Sequence, residues 1–276
     1  MTKNNEIPNF DLKKTSVSEI EAVLSRIILG HSRPTMSIST SFFRARIVTN
    51  IEERDLETVK CIYYPDWSEI DSSYQTFGRC NDKGQNFFYC SNYFEATLKE
   101  LNPNHKDLVM VGTFDPKIEN TKIRCQFAGI ETLKRYSHSD SILQNYQYQN
   151  ERDRNIEKFI GSKFQEKILP HNDFQYKLTI AFSNILLNDD DTGCLIYPSV
   201  ASGLKYSNYG IKPNYVDELL YCTGVYIYRV EKSNFAYTLI PYKYSSYIHH
   251  NLNNHKTSII DWKENNRTDK VKRYSL

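Results

Sequence analysis

The stretch TFGRCNDKGQNFFYCSNYFEATLKE, residues 76–100, predicts a turn, a strand and a helix in quick succession. Gly78-Arg79 begins a polar loop, the aromatic run Phe87-Phe88-Tyr89 follows it, and a final segment carries the carboxylates Glu95 and Glu100. Aromatic residues favour strands, whereas the apolar residues of the final segment recur with the helical period. On a strand, Tyr89 points to the opposite face from Phe88. The stretch therefore predicts α and β structure side by side.

The composition of the 276-residue chain is typical of a folded domain without a marked charge. Hydrophobic residues make up 39%, charged residues 25%, and the formal net charge is +2. A charge this close to balance gives no support for nucleic-acid binding. The first residues lack the apolar centre of a signal peptide, and no apolar run has the length of a membrane span. We expect a cytoplasmic protein that binds neither membrane nor nucleic acid.

The cysteines and histidines do not form a metal-binding pattern. The six cysteines are scattered without a CxxC pair, and the seven histidines include no HExxH sequence. In a chain without a signal peptide, such cysteines are typical of reduced thiols, most of them packed in the core. We therefore expect neither disulfides nor a metal ion.

Helical and strand patterns follow one another without a regular order. Helices are predicted over residues 16–30, where Ser16 and Glu19 match a capping box, and over residues 155–170. Strands are predicted for SFFRARIV, KDLVMVGTF, TGCLIYPSVASG, which is broken at Pro198-Ser199, and the end of ELLYCTGVYIYRV. YKLTIAFSNILL fits a helix or a strand equally. Because βαβ units do not alternate, we predict an α+β fold with a mixed sheet and flanking helices.

Several side chains suit a phosphate-bearing ligand, although each also has an ordinary structural explanation. Glycine-rich phosphate loops are absent, so a nucleotide would be held by side chains. Arg44 and Arg46 share one strand face, and a guanidinium fork matches pyrophosphate oxygens. Taken alone, Arg44 and Arg46 fit a solvated strand face better than a ligand site. In the same way, Arg79 fits a surface turn and Tyr89 fits a core position. Ser199 lacks the GxSxG elbow of a nucleophile and fits a turn.

The two carboxylates of the opening stretch have different positions on the predicted helix. Five residues separate Glu95 from Glu100, which places them roughly 140° apart around the axis. We therefore do not expect them to serve one pocket. Asn92 and Glu95 match a capping box, which assigns Glu95 to the helix start. Glu100 lies too far along for that role, and spacing alone does not rank the two.

The order of these residues resembles the RES-domain family, which is named for a characteristic arginine, glutamate and serine. The family pattern runs from an aromatic-arginine strand to a Gly-Arg-x-Asn turn and a strand ending in tyrosine. A helix with its glutamate eleven residues after the tyrosine follows, and later a Pro-Ser segment with an asparagine. The matching residues here, within residues 40–230, are Arg44, Gly78-Arg79-x-Asn81, Tyr89, Glu100, Pro198-Ser199 and Asn208.

The resemblance implies an ADP-ribosyltransferase-like fold and cleavage of the nicotinamide–ribose bond of NAD. Positive charge develops on the ribose during such cleavage, and a carboxylate beside the ring stabilises it. The resemblance gives this role to Glu100. It implies phosphate binding by Arg44 and Arg79, ring stacking by Tyr89, and a ribose or Glu100 contact by Ser199. The further expected ligands are Arg46, Asn81 and Asn208.

The resemblance also implies a biological role, but it leaves the acceptor open. RES domains include toxins of bacterial toxin–antitoxin or defence systems that deplete NAD by phosphorolysis or hydrolysis. Inorganic phosphate is a candidate co-substrate, and no cofactor is expected beyond NAD as substrate. The candidate partners are a protein antitoxin and a second copy of the chain. The alternatives are an ADP-ribosyltransferase that modifies a macromolecule and a non-enzymatic binding module.

Composition shifts suggest three parts along the chain. We expect an N-terminal extension with one helix over residues 1–38, a RES-like catalytic domain over 39–240, and a polar basic tail over 241–276. The tail contains KENNRTDKVKRYSL and is expected to be a solvated end.

Overall fold

The computed structural model describes residues 7–28, 33, 35–134, 151–234, 236–264 and 272–275. Helices and strands are mixed along these residues, which confirms the predicted α+β class. The ADP-ribosyltransferase-like arrangement and the boundaries of the three predicted parts stay predictions. Every helix in the described ranges is too short or too polar to cross a membrane.

The secondary structure can be given in chain order. The α-helices are α1 (Val17–Ile28), α2 (Phe94–Leu101), α3 (Ile130–Leu133), α4 (Glu151–Gln165), α5 (Tyr176–Leu186) and α6 (Pro213–Leu219). The first strands are β1 (Met36–Ile38), β2 (Phe42–Ile47), β3 (Phe88–Cys90), β4 (Leu108–Pro116), β5 (Ile123–Phe127), β6 (Cys194–Pro198) and β7 (Ser207–Ile211). The last strands are β8 (Leu220–Lys232), β9 (Ala236–Ser245), β10 (Ile248–His249), β11 (Ile259–Ile260), β12 (Lys263–Glu264) and β13 (Lys272–Ser275).

These elements form two compact units whose segments interleave along the chain. Unit 1 consists of Met1–Ile38, Asp66–Phe87 and Ile123–Val200. Unit 2 consists of Ser39–Pro65, Phe88–Lys122 and Ala201–Leu276.

Unit 1 combines a short mixed sheet with helices. Strand β1 pairs antiparallel with β5, and β5 pairs parallel with β6. Helix α1 begins as predicted, because Glu19 accepts a hydrogen bond from the Ser16 backbone N–H at 2.8 Å and the Ser16 hydroxyl accepts one from Glu19 N–H at 3.3 Å. Helix α1 packs against α5, which resolves the ambiguous segment YKLTIAFSNILL as helical. Strand β5 and helix α3 lie in a region for which the sequence predicted no element.

Unit 2 is built on an antiparallel sheet in the order β12-β9-β8-β4-β2. Helix α2 covers one face through a core cluster that includes Leu98, Val111 and Leu239, with Phe43 and Ala45 packed against it. Because side chains alternate along a strand, these two β2 residues face α2 and their neighbour Arg44 faces the other way. Unit 2 also contains the antiparallel pair β3 and β7.

The end of the chain corrects one expectation. Residues 241–276 were expected to form a solvated tail, but in the described part they continue β9 and supply β10 to β13. Strand β13 pairs with β9, and its Tyr274 ring lies 5.3 Å from the ring of Phe94 on α2. The segment was misjudged because its polar residues alternate with apolar ones that a sheet edge can bury.

The cysteines are buried free thiols, as the sequence predicts. Burial raises the pKa of Cys61 to about 11 and raises the pKa of Cys222 further still. Since the thiolate is the reactive form, we expect a disulfide reagent at about pH 8 to label the folded protein only slowly. In concentrated guanidinium all six thiols should react at once. Rapid, stoichiometric labelling of the folded protein would contradict this packing.

Candidate functional site

The candidate site in unit 2 begins with the pairing of β3 and β7. Tyr89 lies directly opposite Gly210 in this antiparallel pair, so the two residues share a face. Asn208, two residues before Gly210 on β7, points to that same face. Phe88 is buried on the opposite face, as the sequence predicts for the neighbour of Tyr89. Gly210, which lies opposite Tyr89, has no side chain that could lie beside the tyrosine ring. The face thus presents Tyr89 and Asn208 together.

Glu100 on helix α2 is joined to this face by a hydrogen bond. The Asn208 side-chain amide donates from Nδ2 to Glu100 Oε1 at 2.7 Å. Asn208 is only 6% exposed, whereas Glu100 is exposed. A buried amide therefore holds an accessible carboxylate. Since a carboxylate accepts up to about four hydrogen bonds, Glu100 can bind a sugar hydroxyl while Asn208 orients it.

Glu95 does not have the role that the sequence suggested. Helix α2 begins at Phe94 with Tyr93 as its N-cap residue, and no side chain caps it, so the expected Asn92–Glu95 capping box does not form. Instead, Glu95 accepts a hydrogen bond from the Tyr206 hydroxyl at 2.8 Å and forms an ion pair with Lys99 at 3.4 Å. The helix starts too late for Asn92 to reach its first turn.

The two carboxylates of α2 reach neighbouring positions, although they lie on different sides of the helix. Tyr206 immediately precedes β7, and Asn208 is its second residue, so Glu95 and Glu100 each bind one of two residues that are two positions apart. The helical spacing predicts that the two carboxylates do not serve one pocket. The structure gives them different partners, so this stays a prediction.

Tyr206 is a feature of this region that sequence reasoning missed. Its ring stacks on that of Tyr93 with centroids 4.7 Å apart, and the ammonium of Lys205 lies 4.8 Å from its ring centroid. Tyr93 is 52% exposed, so the aromatic pair is open to solvent on one side. Tyr206 lies in the bend before β7, so the alternation of strand residues gave no signal for it.

Arg44 contacts two residues of strand β3. Its Nη1 donates to the backbone oxygen of Tyr89 at 2.8 Å, and its guanidinium lies 5.3 Å from the centroid of the Phe88 ring. Phe88 faces away from Tyr89, so Arg44 contacts the strand from the side opposite the Tyr89 and Asn208 side chains. The structure thus gives Arg44 a role in holding β3, and its phosphate-binding role stays a prediction.

Arg46 lies on the same strand face as Arg44, because alternate residues of a strand share a face. Its hydrogen bond, however, goes to a different segment of the chain. Its Nη1 donates to the backbone oxygen of Cys61 at 3.0 Å. This bond joins β2 to the 3₁₀ turn Val59–Ile62 that follows it in the chain. Arg46 therefore also has a structural contact, and its predicted role as a ligand stays untested.

The remaining predicted residues belong to unit 1. The Gly-Arg-x-Asn turn exists, because Gly78 N–H donates to the backbone oxygen of Asn81 at 3.0 Å. Arg79 donates from Nη2 to Glu166 O at 2.7 Å, and its Nη1 is buried with no hydrogen-bond partner among the residues that the structure describes. Asn81 is buried and donates to the backbone oxygens of Thr76 and Asp82. The site roles of Arg79 and Asn81 stay predictions.

Ser199 follows β6 directly and is fully buried. Its position at the end of an apolar strand agrees with the sequence, whereas its ligand role stays a prediction. Within the described ranges, no group of three or more histidine, cysteine, aspartate or glutamate side chains could hold a metal ion.

Comparison with known proteins adds no family assignment. No protein-family model matches the chain, and a search of curated proteins found no match either.

Proposed function

We propose that the protein cleaves the nicotinamide–ribose bond of NAD, by phosphorolysis or hydrolysis. One observation carries the proposal, namely the hydrogen bond from Asn208 to Glu100 at 2.7 Å. The RES resemblance selected both residues from separate motifs that lie 108 positions apart in the chain. Their contact supports the resemblance because the resemblance assigns both residues to one site.

The chemistry of the exposed carboxylate fits this reaction. Cleavage leaves positive charge on the ribose carbon and oxygen, and an oriented carboxylate beside the sugar stabilises that charge. Asn208 orients Glu100, and Tyr89 supplies an aromatic ring on the same face, which suits stacking against a planar ring. Nicotinamide leaves as a neutral molecule, so the departure needs no Lewis acid. Arg44, Arg46, Arg79, Asn81 and Ser199 keep their roles as predictions of the resemblance.

Such an activity depletes NAD, which suggests the biological setting. We place the protein as the toxin of a bacterial toxin–antitoxin or defence system in the cytoplasm, with a protein antitoxin as its partner. Inorganic phosphate is the proposed co-substrate for phosphorolysis, and water for hydrolysis.

The direct test is to incubate the purified protein with NAD, with and without inorganic phosphate, and to identify the products by mass. We expect nicotinamide together with ADP-ribose 1″-phosphate if phosphate is the acceptor, or together with ADP-ribose if water is. ADP-ribose attached to added lysate proteins or nucleic acid would instead favour the transferase alternative. NAD that stays intact under every condition would contradict the proposal and favour a binding module.

A further inference from the structure

A second group of titratable side chains, distinct from Glu100 and Asn208, surrounds Lys117 in unit 2. Lys117 follows β4, and its backbone N–H donates to Leu219 O at 2.8 Å. Its ammonium donates to the backbone oxygen of Asp217 on α6, and its Nζ lies 2.6 Å from Nε2 of His255. Lys117 is only partly exposed.

The contact between Lys117 and His255 requires one of the two nitrogens to carry a lone pair. An ammonium and an imidazolium are both donors only, so they cannot form a hydrogen bond with each other. At 2.6 Å one nitrogen donates and the other accepts, and the imidazole tautomer decides which is the donor. The imidazole is therefore placed to accept the proton that the amine must lose before it can act as a nucleophile.

Among the described residues, the second ring nitrogen of His255 lacks the hydrogen bond that is usual for a structural histidine. His255 Nδ1 is buried and has no hydrogen-bond partner in the part of the chain that the structure describes. The second nitrogen usually fixes the tautomer of a structural or ligating histidine by bonding to a carbonyl or carboxylate. Without that bond, His255 can exchange tautomers as Nε2 gains and loses a proton.

Burial and the positive charges around the pair favour a neutral imidazole. Burial first, and then Lys117 and His250, lower the pKa of His255, while Asp217 opposes them. Burial, and then Lys117, lower the pKa of His250. Burial also lowers the pKa of Lys117, against the carboxylates of Asp217 and Glu218. A neutral His255 at neutral pH is the form that accepts a proton.

The neighbouring residues fix the carboxylate of Asp217 and the surrounding turn. The Tyr64 hydroxyl donates to Asp217 Oδ2 at 2.5 Å. The ammonium of Lys256 lies 3.7 Å from the Tyr64 ring centroid, and the His250 ring contacts that of Tyr221. Asp217 is thus bound to Tyr64 through its side chain and to Lys117 through its backbone. This arrangement leaves His255 as the base nearest to the amine.

We propose that Lys117 is an acyl-acceptor site, modified by small acyl donors of the acyl phosphate or thioester class with His255 as the proton acceptor. The Lys117 nitrogen forms a bond to the acyl carbon, and the bond from that carbon to the phosphate oxygen or the sulfur breaks. Formation of the amide from the ammonium releases two protons. One passes to His255 Nε2 before the nitrogen attacks, and the other leaves with the phosphate or thiol, which takes the electron pair of the broken bond. The product is an amide at Lys117, and no oxidant or reductant takes part.

The test uses acetyl phosphate as the probe and mass spectrometry to measure acetylation at each lysine of the whole protein. Lys122 is exposed and serves as an internal control. We expect the initial rate at Lys117 to exceed that at Lys122 by at least about tenfold near pH 7.5, since a positioned base contributes this much or more. His255→Gln keeps an acceptor oxygen for Lys117 but takes up no proton, so the ratio should fall to about one. An equal rate at the two lysines of the unchanged protein would overturn the proposal.

A pH series on the unchanged protein guards against misfolding of the variant. The rates at both lysines are measured between about pH 5 and 7.5, a range that spans the ordinary titration of an imidazole. Protonation of His255 at the acidic end removes the acceptor, and the ratio should decrease accordingly. A ratio that stays constant over this range, or that is unchanged in His255→Gln, would show that the imidazole does not assist.

Discussion

Replacing Glu100 with glutamine is expected to lower the rate of NAD cleavage by about 10²–10³-fold, the usual effect of removing one group that stabilises transition-state charge. Glutamine can still accept the hydrogen bond that Asn208 donates at 2.7 Å, so the helix should keep its place. The change removes the negative charge that is proposed to lie beside the ribose. Initial rates of NAD loss and a thermal unfolding curve for each protein provide the measurement.

Glu95→Gln is the matched control, because it makes the same chemical change five residues away on the same helix. Its oxygen can still accept from the Tyr206 hydroxyl, and the charge interactions with Lys99 and Lys205 are weakened. We expect cleavage within about threefold of the unchanged protein, because a partly exposed ion pair contributes little. Full activity in Glu100→Gln, or an equal loss in both variants, would contradict the assignment of Glu100.

The fold could be predicted where local patterns were decisive. Strand β2 and helix α1 combine clear periodicity with residues of the expected type, and both occur where predicted. Residues 176–186 could not be assigned, because apolar and small residues cover nearly the whole circumference of α5. Periodicity carries no information when every face is buried, so packing against α1 decided the outcome.

The candidate site depended on information that no local pattern contains. The contact between Asn208 and Glu100 follows from the register of β3 on β7 and from the position of α2 after β3. The resemblance supplied the residues, but not the hydrogen bond that joins them. Likewise, alternation on β2 predicts that Arg44 and Phe43 lie on opposite faces of the sheet. Only the packing of α2 on Phe43 shows which of these faces the helix covers.

Gly129→Ala is expected to lower the free energy of unfolding by about 2–6 kcal/mol, which combines an unfavourable backbone conformation with overpacking. Gly129 has φ of 85° and ψ of 156°, a region that is essentially restricted to glycine. A Cβ atom there would lie 2.6 Å from the backbone N and Cα of Gly161 on α4 and 2.8 Å from Glu157 O. These are backbone atoms of a buried helix turn, so they cannot move aside as a flexible side chain could.

Two glycine variants separate the causes when urea unfolding is followed by circular dichroism. Gly203 has φ of 64°, and a Cβ there meets nothing within 4 Å, so Gly203→Ala should cost only about 1–2 kcal/mol. Gly161 lies inside α4, where a Cβ would approach Gly129 no closer than 3.7 Å. Because alanine favours a helix over glycine by about 1 kcal/mol, Gly161→Ala should stabilise the protein slightly. Gly129→Ala and Gly203→Ala could unfold at the same urea concentration. In that case positive φ alone would explain both variants, and the close approach of α3 to α4 would not limit stability.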